Sequence, residues 1–218
     1  SNATLTVDNT KPVINSGNTS SINNTQVNTT GVTVYTATVD PDETVTWNLT
    51  TGTDKFEING SNGAVTNKVE LIAGGYIFKV TATDAVLNVS NEKEVSLTVS
   101  DTTAPTDQNS VFTTDTTVKG SVNVAIGNSG EAAVWFAPAE TSVFTAGPTM
   151  TTAVGTATSI AAPVNEGIYK LYVIDAAGNV STASSATLTV DNTAPYVEDL
   201  VFTTDTTVKG SVNVAIGN

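Results

Sequence analysis

The side chains able to do chemistry in this 218-residue chain are carboxylates and little else: Asp and Glu number 21, against eight Lys, with no His and no Cys. Arg is absent too, since every cation is a lysine. Without Cys or His there is no zinc site of the usual ligands, no disulfide, no thiol nucleophile and no Ser-His-Asp triad. Carboxylates at short spacing offer hard-cation binding, because Ca²⁺ takes roughly six to eight oxygen ligands. Asp40 and Asp42, with Glu43 beside them, share one loop, and Asp84 closes a nearby strand. Like charges held that close are costly without a cation. The competing reading is turn formation, in which Asp before Pro or Gly bonds its own backbone. Asn88 and Asn179, four residues after Asp84 and Asp175, read as turn residues, and Gly178 supports this in the second case.

Other chemistries fit less well. The pairs Asp40/Asp42 and Glu92/Glu94 have the carboxylates of a glycosidase, but they sit in short segments with no insertion to form a cleft; the expectation is no enzyme. Net charge −13 and a pI near 4.1 argue against nucleic acid, whose phosphates need clustered cations, and against anionic membranes. No apolar run approaches the roughly 18 residues that cross a bilayer, so no membrane insertion is expected. Lys79 is the only lysine within an apolar alternation, so a buried Lys–Asn isopeptide bond finds little support.

The elements that must position these groups follow from repetition. The string VFTTDTTVKGSVNVAIGN stands at 111–128 and again at 201–218, identical throughout. A second marker, LTVDNTKP, LTVSDTTAP and LTVDNTAP, places Asp8, Asp101 and Asp191 at successive spacings of 93 and 90. A third, GGYIFKVTATDAVLNVS and EGIYKLYVIDAAGNVS, precedes the later two linkers. Three co-linear markers define a tandem repeat. In the D-x-T-x-P linker a strand ends, Asp and Thr cap a turn, and Pro stops further pairing. The boundaries expected are 1–10 (a vector scar at Ser1–Ala3 plus the last strand of a preceding repeat), 11–100, 104–190, and 191–218, the start of a third repeat.

Within repeats, apolar residues alternate. Val45, Trp47 and Leu49 interleave with Thr and Asn, and Tyr76, Phe78, Val80 and Ala82 form a second such run. Further strands are expected at 12–22, 32–39, 55–58, 64–71 and 94–99, and in the second repeat at 110–114, 118–126, 132–137, weakly near 142–151, 157–162, 168–175 and 182–190. No helical stripe is present. About seven short strands in ninety residues predict an all-β fold of tandem immunoglobulin-like Greek-key sandwiches. Trp47 reads as core and Tyr76 and Tyr169 as core residues near a corner. Trp135 reads as core too, with sugar stacking as the alternative.

VDPDETVTWNL, KFEINGSNGAV, YIFKVTATD and LTVSDTTAP together resemble a bacterial cadherin-like repeat over residues 35–105. AAVWFAP, EGIYKLYVIDAAGNVS and LTVDNTAP resemble the Ig-like repeats of Gram-positive surface-layer and adhesin proteins over 104–195. The linkers here carry fewer Asp and Asn than cadherin linkers do. The resemblance implies that Asp40, Asp42 and Asp84 face the linker in front, which holds Asp8 and Asn9, as a Ca²⁺ site at one pole. For the next junction it implies Asp101, Glu70 and Asp175, with Glu131 in the loop equivalent to 40–43, as a weaker site. It further implies a non-catalytic structural or adhesive spacer, outside the cell on a bacterial surface or surface layer, with neighbouring repeats as partners. The alternatives are a module binding cell-wall glycan or surface proteins, or an accessory domain of a secreted polysaccharide-active enzyme.

Overall fold

The computed structural model describes residues 7–41, 43–195 and 210. Of the end pieces expected at 1–10 and 191–218, residues 1–6 and 196–218 lie outside these residues, save Gly210, and Val7 is in no strand. The chain divides into two compact units. One holds the residues up to Pro105 together with Asp175–Val180; the other holds Thr106–Ile174 and the residues from Ser181.

Among the described residues the first unit has seven strands: β1 (Thr19–Asn23), β2 (Thr33–Thr36), β3 (Val45–Thr51), β4 (Phe56–Ile58), β5 (Ala64–Asn67), β6 (Gly74–Asp84) and β7 (Lys93–Ser100). They form sheets in the orders β1-β7-β6-β3 and β2-β5-β4, with β1 parallel to β7 and the other neighbours antiparallel. This is the Greek-key order of an immunoglobulin-like sandwich. The alternation read in the sequence drives it: Trp47 and Leu49 of β3 are buried while Thr46, Asn48 and Thr50 face water. Between the sheets, Phe56 and Phe78 meet at 4.9 Å and Tyr35 meets Phe78 edge-on at 5.8 Å. Burying each of these Phe side chains contributes about 1.5–3 kcal/mol, which in this cysteine-free sandwich takes the place of an inter-sheet disulfide. Asn67 is fully buried. Its Oδ1 accepts from the Val32 amide at 2.8 Å, and its Nδ2 donates to the carbonyls of Thr29 and Val69.

The second unit opens with a difference from expectation. Residues 108–111 form a single helical turn, α1 (Gln108–Val111), where a strand over 110–114 was expected. The polar run Thr106–Ser110 has no alternation, and the Asp107 carbonyl accepts from the amides of Ser110 and Val111. The expected strand 118–126 splits into β8 (Thr116–Val118) and β9 (Asn123–Ala125). Between them the chain turns at Gly120, where a Cβ would meet the Val164 carbonyl at 2.6 Å, and Ser121 follows at φ 66°. Then come β10 (Ala133–Ala137), β11 (Thr151–Val154), β12 (Ser159–Ala161), β13 (Gly167–Ile174) and β14 (Leu188–Val190). The last is shorter than the expected 182–190, because the Ser184 amide and hydroxyl, with no regular ladder, satisfy Leu171.

The sheets here run β11-β10-β13-β14-β8 and β12-β9. The fourth strand of this unit, β11, pairs with β10, whereas β4 of the first unit pairs with β5 in the opposite sheet. The second repeat therefore does not copy the first throughout. One Ig hallmark is common to both. Tyr76 lies opposite Leu97 and donates its hydroxyl to the Ile72 carbonyl at 2.9 Å; Tyr169 lies opposite Leu188 and donates to the Asn165 carbonyl at 2.8 Å. Each is a tyrosine corner. Burial raises the Tyr169 hydroxyl above its ordinary pKa.

Candidate functional site

All three linker aspartates build the same turn. The carboxylates of Asp8, Asp101 and Asp191 accept the amides of Thr10, Thr103 and Thr193, each at 2.9 Å. Such an Asx turn is what the D-x-T spacing supplies.

The third marker folds into one device, built twice. After β6, Asp84 Oδ1 accepts the amides of Val86 (2.9 Å) and Asn88 (2.8 Å), and Oδ2 accepts Asn88 Nδ2 at 2.8 Å. After β13, Asp175 makes the same three bonds to Ala177 and Asn179, at the same distances. Two residues on, Ser90 accepts the buried Ala82 amide and Ser181 the buried Val173 amide, both at 2.9 Å. The turn requires a left-handed residue before each Asn. Gly178 takes it at φ 89°, but the first copy uses Leu87 at φ 72°, with its side chain 80% exposed.

Partial desolvation pushes the Asp84 carboxyl up. The Asn88 side chain and amide, with the amides of Val86 and Leu87, outweigh it and hold the group below the usual carboxylate value. Asp175 is held down in the same way by Asn179, Ala177 and Gly178.

The same Nδ2 of each Asn also reaches a linker. Asn88 Nδ2 donates to the Asp8 carbonyl at 3.2 Å, and Asn179 Nδ2 to the Asp101 carbonyl at 3.3 Å. Both bonds lie within the first unit, which includes the Asp175–Val180 turn. So Asp8 and Asp84 come together through Asn88, and Asp101 and Asp175 through Asn179.

The other candidates are placed less closely. Asp40 and Glu43 are joined by a backbone bond of 3.0 Å and border a shallow hollow of about 350 Å³ with Trp47 and Asn62. Asp42 lies outside the described residues. Asn9 is exposed. Glu70 and Asp101 border one groove of about 420 Å³. Glu131, in the second unit, donates its amide to Ser129 Oγ at 3.2 Å. Among the described residues, no three Asp, Glu, His or Cys side chains are grouped to hold a metal ion. Asp84 already accepts three hydrogen bonds, which leaves about one free lone-pair direction. The described side chains do not by themselves bring together the roughly six to eight oxygens that Ca²⁺ takes.

Some contributors escaped the sequence reading. Asn24, in a 3₁₀ turn at Asn24–Gln26, donates to Asp101 Oδ1 at 2.8 Å and accepts the Thr102 amide at 3.1 Å, so it pins the linker from the side. Ser90 and Ser181 were visible as the shared N-V-S but carried no role. Trp135 is neither core nor bare: it is half-buried outside the main core, with Phe144 edge-on at 5.6 Å and Tyr172 beyond it. Lys79 pairs with Glu92 at 3.5 Å and Glu94 at 3.8 Å on an open face.

The strand order defines the class, an all-β protein of immunoglobulin-like sandwiches. No family model and no curated protein match the chain. Among solved structures, human protocadherin-24 EC1-2 aligns over 86% of this chain and 100% of its own, at 15% identity and a TM-score of 0.46. Drosophila N-cadherin EC1-3 aligns over 84% and 68%, at 14% identity and a TM-score of 0.36. Mouse protocadherin-24 EC1-3 aligns over 83% and 70%, at 14% identity and a TM-score of 0.40.

Proposed function

We propose that this chain is a run of structural, adhesive spacer repeats from an extracellular protein of a bacterial surface or surface layer, and that it is not an enzyme. The observation that carries the reading is the linker-gripping turn built twice, at Asp84–Ser90 and Asp175–Ser181, on the same type of acceptor. A spacer needs each repeat fastened to the linker that leads into it, and short Pro-bearing linkers with nearest-neighbour contacts restrict bending. The repeat bodies are 11–100 and 104–190, and the partners are the neighbouring repeats of the same chain. Nucleic acid and membrane insertion have no part in it.

Calcium belongs to this proposal as an added brace. Asp40, Asp42 and Asp84 would hold it with Asp8 and Asn9, and more weakly Asp101, Glu70, Asp175 and Glu131 at the next linker. Neutralising these carboxylates would stiffen the linker further. A ligand bound only by the folded state raises the melting temperature. The expected result is a higher melting temperature in millimolar Ca²⁺ than in chelator, reduced by Asp40→Asn; superimposable melting curves remove the metal from the account.

A glycan-binding adhesin module is the second reading, favoured by one observation: Trp135 is half-exposed and lies edge-on to Phe144, which in turn packs on the buried Tyr172. Saturable binding to cell-wall glycan, lost in Trp135→Ala, would displace the spacer reading.

A further inference from the structure

Residues 201–218 repeat 111–128 letter for letter. In the second unit the earlier copy fills one definite slot, as the end of α1, then β8 and β9. Its Val111, Phe112, Val124 and Ile126 are buried, and Phe112 meets Phe136 edge-on at 5.1 Å. β8 is the outermost strand of its sheet, held by parallel pairing of Thr116, Thr117 and Val118 to Leu188, Thr189 and Val190. β9 pairs with β12 alone. Both strands of the slot therefore sit at sheet edges and can leave without parting an interior pair.

We propose that this slot is an interaction site for a second copy of the chain, whose residues 201–218 replace the resident 111–128. Every contact the resident gives up is remade by an identical side chain, with Val201, Phe202, Val214 and Ile216 taking the places of Val111, Phe112, Val124 and Ile126. The balance is then set by the flanking residues and by protein concentration, as in domain swapping. The flanks favour the resident at low concentration. Gln108 is buried and donates Nε2 to Thr182 Oγ1 at 2.8 Å. The residue at that register before the later copy is Glu198, which as a carboxylate has no N–H to give.

The chain's own later copy is a poorer occupant than a second molecule's. Leaving β14, the chain is fastened beside the far end of β8: the Asp191 amide donates to the Val118 carbonyl at 2.9 Å, and the Gly120 amide donates to Asn192 Oδ1 at 2.9 Å. Residues 191–197 would have to break these bonds and run back along β8 to the start of α1.

The chain has no cysteine, so an engineered pair reports cleanly. Thr207 holds in the later copy the register that Thr117 holds beside Thr189. Neighbouring strands lie about 4.8 Å apart, within reach of a disulfide. The Thr189→Cys/Thr207→Cys variant, incubated over a range of concentrations and oxidised, should give covalent dimers linked 189 to 207. Their fraction should rise with concentration and vanish when Phe202→Asp is added. Glu198→Gln, which restores the missing donor, should increase it. Thr117→Cys/Thr189→Cys is the control and should form its disulfide within one chain. The proposal is overturned if the control closes but no 189–207 link forms at any concentration. It is equally overturned if that link forms within monomers, or if dimers survive Phe202→Asp.

Discussion

Ser181→Ala and Ser90→Ala test the repeated turn and the division into two units in one experiment. Ser181 Oγ is the acceptor for the Val173 amide, and Val173 is fully buried. Alanine removes that acceptor and leaves too little room for water to replace it, so a buried N–H is orphaned at a cost of about 1–3 kcal/mol. The second bond, from Ser181 Oγ to the Thr182 carbonyl, faces water and adds little. Taking about 2 kcal/mol, and about 4–8 °C per kcal/mol for a domain of this size, the melting midpoint should fall by about 8–16 °C. Ser90→Ala orphans the buried Ala82 amide and should cost the first unit a similar amount. Each unit holds one tryptophan, Trp47 in the first and Trp135 in the second. Fluorescence melts in a Trp47→Phe background therefore follow the second unit, and in a Trp135→Phe background the first. Ser181→Ala should move only the Trp135 transition and Ser90→Ala only the Trp47 transition. Equal movement of both would refute two independently folding units; no movement of either would refute the orphaned-amide argument.

Asn179→Ala and Asn88→Ala should raise the pKa of Asp175 and Asp84 toward the ordinary carboxylate value, read by carboxyl NMR titration. The sign follows from linkage: a depressed folded pKa stabilises above the unfolded value of about 3.9 and is lost as pH falls through the folded value. Acid unfolding should therefore begin at higher pH in both variants, and unchanged titrations count against the Asn bonds. Gly63→Ala should destabilise the first unit by at least about 2 kcal/mol in urea melts, since Gly63 has φ +72° and its Cβ would meet the Ala37 carbonyl at 2.5 Å and the Trp47 ring at 3.0 Å. Leu87→Gly should stabilise by about 0.5–1 kcal/mol, because glycine relieves the left-handed strain and no buried contact is lost; a lower melting temperature would show that the exposed leucine is held by something it touches.

What the sequence determined by itself is local or periodic. The D-x-T turns at Asp8, Asp101 and Asp191 need only a carboxylate two residues before an amide. The strands carrying Trp47 and Phe78 follow from alternation against Thr and Asn, and the two tyrosine corners from their place at strand starts. Asn88 and Asn179 were legible as turn residues because their first partners are four residues away. Tertiary structure decided what depends on distant partners. Which sheet the fourth strand joins, β4 with β5 but β11 with β10, is a competition between edges that no local pattern records. The helical turn at Gln108–Val111 rests on Gln108 reaching Thr182, 74 residues on. That Asn88 and Asn24 hold linkers 77 to 80 residues away is likewise invisible in either neighbourhood. A side chain's own sequence fixes what it can donate or accept; only the folded backbone determines which distant carbonyl or carboxylate stands within 3 Å of it.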